Sequence, residues 1–464
     1  MQTETTLAGF VHGLRFEDLT PAARGMVRKL LLATSGTGVA GAGEEGVAEL
    51  HAMLDERGGS PQATTLVFGT RLPAASAAQL NGTMCRALDF CDAMAPGVHI
   101  GSSLVPAAFA AAELRGGCDG REFVTALAAG AELSSRLNLT ESMYDGFDPT
   151  GIAAVFGAAA AAARILGLDA EGIRHALALA FNRCGGSFQS NVDGSLAVRL
   201  IQGWVAEGGV SCAQMAARGM TGPGTFVEGI YGYRHLYGRD RLDVQALVAG
   251  LGSAWRLERM MFKKYPSCGV TQGATDLALE LVREIGLSPA TLASAEVRLP
   301  PYCHRLVGTP FEIGANPRVN AQFSAQYCVA NAVLRGASRL EHFREAEIRD
   351  PAIAALIPRI AVLADAGMDA RGHSSVDLEV VTTDGVRHTR RYDVSPGYPD
   401  NPLIDAELQG RFDDCMSYAA WPLAPEQRSG WLQALAAIEA QADVTRLLPL
   451  LVSAAGQREA VRAA

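Results

Sequence analysis

No run of lysine and arginine occurs anywhere in this sequence, and its net charge is −9. Nucleic acid binding needs a basic stripe to neutralise phosphates, so no nucleic-acid partner is expected. CxxC pairs are also missing, and the nine cysteines are scattered and odd in number. That pattern argues against a disulfide framework and offers no zinc or iron–sulfur ligand set, so no metal is expected. Long apolar runs are absent too. The longest small-residue apolar stretch, 152–163, falls short of the about 20 residues that cross a bilayer. The N-terminus carries acids and no signal-peptide pattern, which leads to the expectation of a soluble cytoplasmic protein with no membrane partner. No Walker P-loop, GxSxG or HExxH motif occurs. The glycine runs at 36–43 and 250–255 lack the strand–turn–helix setting of a nucleotide fingerprint.

What is present is apolar residues in helical order. Hydrophobic residues make up 48% of the 464 and charged residues 19%, ample for a buried core and against disorder. The length suggests two or three domains. Residues 1–265 read as almost entirely helical, with helices expected at 44–57, 74–88, 104–114, 122–139, 152–166, 170–181 and 196–218. The helix at 152–166 is nearly all apolar, which predicts burial on every side. After Tyr265 the pattern changes. Residues 294–299, 375–382 and 386–394 alternate like strands, the last two around the hairpin signal Thr383–Asp384–Gly385. Helices are expected between them at 271–285, 320–334 and 345–356. The chain then returns to helix at 406–418, 425–439 and 442–451. The fold class is therefore mainly α with an α+β second domain: a large discontinuous all-helical domain, 1–265 and 396–464, plus a smaller α+β domain, 266–395.

Five stretches concentrate polar groups where loops meet helices. The organising one is 81–113, with Asp89, Asp92 and His99. The two aspartates share a face if 84–92 is helical. Pro96 and Gly97 then place His99 on or after a loop, with Ser102–Ser103 able to cap a helix beginning near Leu104. Judged alone, the stretch reads better as structural, with Asp89 a cap, Asp92 a solvated group and His99 a core histidine. The second stretch holds Asp148, a possible base or the cap of the helix after Pro149. The third holds Arg199, able to pair with a carboxylate or to be an ordinary surface arginine. The fourth, FKKYPSCGVTQ, holds Lys263, Lys264, Cys268 and Gln272; the fifth, PYCHR, holds Tyr302 and His304.

Together these stretches resemble the MmgE/PrpD family. The resemblance is carried by ALDFCDAMAPGVHIGSSLVPAAFAAAE, DGFDPTGIAAVFGAAAAAARILGLD, RLIQGWVAEGGVSCAQMAARGMTGP, FKKYPSCGVTQGATD, NPRVNAQFSAQYCVANAVLRG and PGYPDNPLIDAELQGRFDDC, in the family's order over most of the chain. It implies a helical domain of two chain segments, a smaller α+β lid, a homodimer, and a site in the cleft between the domains. It also implies cofactor-free chemistry on a small di- or tricarboxylate: a base removes a proton next to a carboxylate, and the carbanion loses a leaving group, loses CO2 or is reprotonated. Asp89 matches the first aspartate of the family's LDFDD motif, Cys91 replaces the second and Asp92 keeps the third; His99 and Lys263 match the histidine and lysine that follow. Cys268 and Gln272 fall at positions where members carry histidine, and Tyr302 or His304 lies near a site tyrosine. Asp148–Pro149–Thr150 stands where His-Pro-Thr is common, Val198 where a lysine is, and Ala95 where a histidine is. These departures point to a substrate or outcome other than the family's familiar ones. The resemblance therefore leads to the expectation of a lyase, foremost a dehydratase, with Asp89, His99, Asp148 and Lys263 catalytic. Asp92, Arg199, Lys264, Cys268, Gln272, Tyr302 and His304 would bind substrate. An epimerase, a decarboxylase and a non-catalytic carboxylate-binding protein are the alternatives.

Overall fold

The computed structural model describes residues 2–463, which divide into two compact units, 2–260 with 415–463 and 261–414. No helix among the described residues is long and apolar enough to cross a membrane.

The first unit is helical. Its chain runs α1 (Gln2–Gly13), α2 (Pro21–Gly41), α3 (Val47–Arg57), α4 (Ala74–Arg86), α5 (Gly101–Arg115), α6 (Gly120–Leu137), α7 (Pro149–Ile165), α8 (Ala170–Phe181), the short α9 (Gln189–Val192) and α10 (Ala197–Ala216). At the centre lies α7, in which every residue except Arg164 is buried, as the unbroken apolar sequence predicts. It packs against α5, α6, α8 and α10. Small residues let the axes approach. A Cβ on Gly157 of α7 would lie 2.3 Å from the Gly130 carbonyl oxygen of α6, and one on Gly203 of α10 would lie 2.4 Å from the Gln79 carbonyl of α4. The C-terminal segment completes this core: Trp431, fully buried, donates its indole N–H to Ser35 Oγ at 2.8 Å.

The second unit carries a four-stranded sheet in the order Ile360–Ala364, Leu292–Leu299, Val376–Thr382, Arg387–Tyr392. The last two form the expected antiparallel hairpin, turning at Gly385 with φ +85°. Strand Ile360–Ala364, parallel to Leu292–Leu299, was not expected; only its first residue is buried, so it has no alternation to read.

Three sequence expectations need correction. Residues 84–92 are not one helix: α4 stops at Arg86, and Asp89 sits in the left-handed region at φ +51°. The serines do not cap α5, which begins three residues before Leu104 and takes its cap from Asp92. Neither 320–334 nor 345–356 is continuous. The first divides into Pro317–Gln322 and Ala325–Arg335, restarted by Ser324, whose hydroxyl accepts from Tyr327 N–H; the second divides at Asp350–Pro351.

Candidate functional site

In the first unit the site grows from the end of α4. Arg86, its last residue, is 7% exposed and ion-paired to Asp89, and its Nη1 lies 4.0 Å from Cys91 Sγ. Burial works against its charge, but the opposing charges of Asp89, Cys91 and Asp148 outweigh that and raise its pKa, so the guanidinium stays protonated. Sequence reasoning missed Arg86, because a cation in the last turn of a helix reads as an ordinary complement to the helix dipole.

The 89–99 loop is pinned at three points. Asp92, fully buried, accepts from Ile100 N–H at 2.8 Å and Gly101 N–H at 3.0 Å, so its carboxylate serves the start of α5. His99 N–H donates to Thr150 Oγ1 at 3.0 Å, tying the loop to the head of α7. Gln202 of α10 donates to the His99 carbonyl at 3.4 Å, while its own buried Oε1 has no hydrogen-bond partner.

These pins orient the imidazole. His99 Nδ1 lies 2.6 Å from the Asp92 backbone oxygen and 3.4 Å from Cys91 Sγ. A carbonyl oxygen only accepts, so Nδ1 carries the proton in this bond. Asp148 sits at the same end of α7. Its Oδ1 accepts from Thr150 N–H at 2.8 Å and Gly151 N–H at 3.0 Å, the bonds of a helix cap. The first unit thus brings together Asp89, Asp92, His99 and Asp148 as four groups in different settings: an ion-paired carboxylate, a cap for α5, an imidazole bonded through Nδ1 to a backbone carbonyl, and a cap for α7. Arg199, also on α10, turns its guanidinium to the 44–46 loop, donating to the Glu45 carbonyl at 2.9 Å with Glu44 at 4.0 Å.

In the second unit, Lys263 is 2% exposed. Its neighbour Lys264 binds Asp276 and Glu407, each at 2.8 Å. Burial opposes the Lys264 charge, and those two carboxylates more than offset it, raising its pKa. Gln272 uses both ends of its amide on the Tyr265 backbone, at 2.8 and 3.0 Å, and so braces the 263–268 turn. The backbone N–H of Cys268 donates to the Gln322 carbonyl at 2.9 Å. His304 Nε2 donates to the Val362 carbonyl at 3.3 Å. The Tyr302 ring lies against His373, with centroids 5.4 Å apart. His373, too, had no signal in the sequence beyond being a histidine.

The chain matches the model of the MmgE/PrpD N-terminal domain over residues 5–245 and that of the MmgE/PrpD C-terminal domain over residues 265–428. It is 25% identical to the cis-aconitate decarboxylase of Homo sapiens over 427 residues, 88% of this chain and 86% of that protein. The cis-aconitate decarboxylase of Mus musculus is 24% identical over 429 residues, 88% and 85% of the two chains. A cis-aconitate decarboxylase-like protein of Aspergillus oryzae is 23% identical over 477 residues, 96% of each.

Proposed function

The chain belongs to the MmgE/PrpD family, and from that premise we propose that it is a lyase that decarboxylates a small unsaturated polycarboxylate. The observation that carries this reading is the lock on His99: with Nδ1–H held by the Asp92 carbonyl, Nε2 is positioned to move one proton. The alternatives differ in how many protons they need. Dehydration requires a base for the carbon-bound proton and an acid for the leaving hydroxide. Loss of CO2 generates the carbanion without a base and requires one acid to quench it. In this unit Asp89 is ion-paired to Arg86 and Asp148 caps α7, which leaves the His99 imidazole as the group for proton transfer in this reading. Decarboxylation therefore fits better than the dehydration expected from sequence, and the names of the relatives lean the same way.

In the proposed step the C–C bond to one carboxylate breaks and CO2 leaves, with the bonding electrons staying on the carbon. The imidazolium of His99 then gives its Nε2 proton to that carbon and is recharged from solvent. Arg86, held charged within the cluster, lowers the energy of the developing negative charge.

The test is proton NMR of the protein in deuterium oxide with cis-aconitate and hydroxy-tricarboxylates. CO2 release with one deuterium per product supports the reading, and His99→Ala is expected to slow it by about 10²–10⁴-fold. A new alkene without CO2 would instead establish the dehydratase. Deuterium entering an unchanged acid would establish the epimerase.

A further inference from the structure

His99 and two of its neighbours also form a ligand set of a kind the scattered cysteines did not suggest. One ligand atom each from Asp89, Cys91 and His99 lies within 4.8 Å of the other two. Asp89 and Cys91 are buried and His99 is half-buried. We propose that these three side chains bind a soft divalent cation of the zinc class, and that the bound ion inhibits the enzyme. The binding rests on the cluster alone; the inhibition rests also on the role given to His99 above.

The donor types select the ion. A thiolate, an imidazole and one carboxylate oxygen suit zinc, cadmium or cobalt, and give magnesium and calcium too few hard oxygens. Metal–ligand bonds of about 2.0–2.3 Å place neighbouring donors of a tetrahedral site about 3.5 Å apart. Side-chain movement of about 1 Å closes the present set to that spacing. The ring is already held for it. An Nδ1–H bond to a backbone carbonyl is the usual outer-sphere support of a metal-binding histidine, and the Asp92 carbonyl at 2.6 Å supplies it, which makes Nε2 the ring atom with an electron pair to offer an ion. Three protein donors leave a fourth position for water or a substrate carboxylate.

Arg86 opposes the ion. It is paired with Asp89 and lies 4.0 Å from Cys91 Sγ, so a cation must displace or tolerate a fixed positive charge. The ion displaces the Cys91 thiol proton to solvent as it binds. The result is a site of modest affinity rather than a structural zinc centre. An ion there ties up the Nε2 electron pair of His99 and the Asp89 carboxylate, which is why it blocks turnover instead of assisting it.

Cobalt(II) is the probe, added to the full chain after dialysis against a chelator. The expected result is a near-ultraviolet cobalt–thiolate charge-transfer band with the visible bands of a four-coordinate ion, displaced by zinc and unchanged by magnesium. Cys91→Ser should abolish the thiolate band and weaken zinc binding by at least about tenfold. His99→Gln should weaken it comparably while keeping the band. Cys85→Ser, which removes another buried thiol, should leave both unchanged. Circular dichroism identifies any variant that fails to fold, and His99→Gln carries the test if Cys91→Ser does. No thiolate band in the wild type, or full zinc affinity in both folded variants, would overturn the site. Zinc bound with turnover unimpaired would keep the site and overturn both the inhibition and the role of His99.

Discussion

Asp89 holds a left-handed backbone that asparagine and aspartate adopt far more readily than most residues, at the point where its carboxylate meets a buried arginine. Asparagine there keeps the backbone and removes only the charge. We expect Asp89→Asn to destabilise the protein by about 3–5 kcal/mol in urea unfolding, because Arg86 loses its ion-pair partner in a buried setting. The double variant Arg86→Met, Asp89→Asn should recover part of that loss; strict additivity would show that the pair is uncoupled. Two histidines outside the site set a pH dependence. His51 stacks on Phe68 with ring centroids 4.6 Å apart, and His342 is buried in the second unit. Burial lowers the pKa of both. Each folded pKa lies below the unfolded value of about 6.5, so the unfolded chain takes up protons first as pH falls. Stability from these groups is complete above about pH 6.5 and declines below it. The melting temperature should therefore fall between pH 7 and pH 5, and His51→Gln should flatten that slope; an unchanged slope would remove His51 as a cause.

Helix contacts here depend on missing side chains. A Cβ on Gly157 would lie 2.0 Å from Ser134 Oγ as well as 2.3 Å from the Gly130 carbonyl, so Gly157→Ala forces α6 and α7 apart. The expected loss is at least about 1–3 kcal/mol. Gly25, on α2, has nothing within 4 Å of its added Cβ, and Gly25→Ala should stabilise by about 1 kcal/mol through helix propensity. Calorimetry on the two variants should give shifts of opposite sign. The same elements show what a sequence can convey. The buried helix was legible because apolar residues on all its faces have one explanation, and the hairpin because Thr383–Asp384–Gly385 has one geometry. Asp89 and His99 stood out as polar groups beside apolar runs. Arg86 did not, since its burial follows from a turn of the chain after α4 that local spacing cannot encode. The cap supplied by Asp92 was missed for a similar reason: the acceptor lies eight residues before the first N–H it serves.

At the scale of the whole molecule, the first unit depends on both ends of its chain. Val67 N–H donates to the Leu451 carbonyl at 2.8 Å, and Ser453 N–H returns to the Val67 carbonyl at 2.9 Å, while Trp431 fills the space beside Ser35. Removal of 415–464 should expose that core and yield a chain without fixed near-ultraviolet circular dichroism. Trp431→Ala alone should cost about 3–5 kcal/mol. A native spectrum from the truncated chain would contradict this account. Residues 158–163 of α7 are all alanine. Alanine has no rotamers, so this stretch gives up almost no side-chain entropy on folding and afterwards has nothing to rearrange. The head of α7, where Asp148 and Thr150 meet the His99 loop, is thus mounted on a stem that cannot answer a change at one end by repacking at the other. Substitutions around Cys91 and His99 are therefore expected to be felt locally, while the frame beneath stays the same.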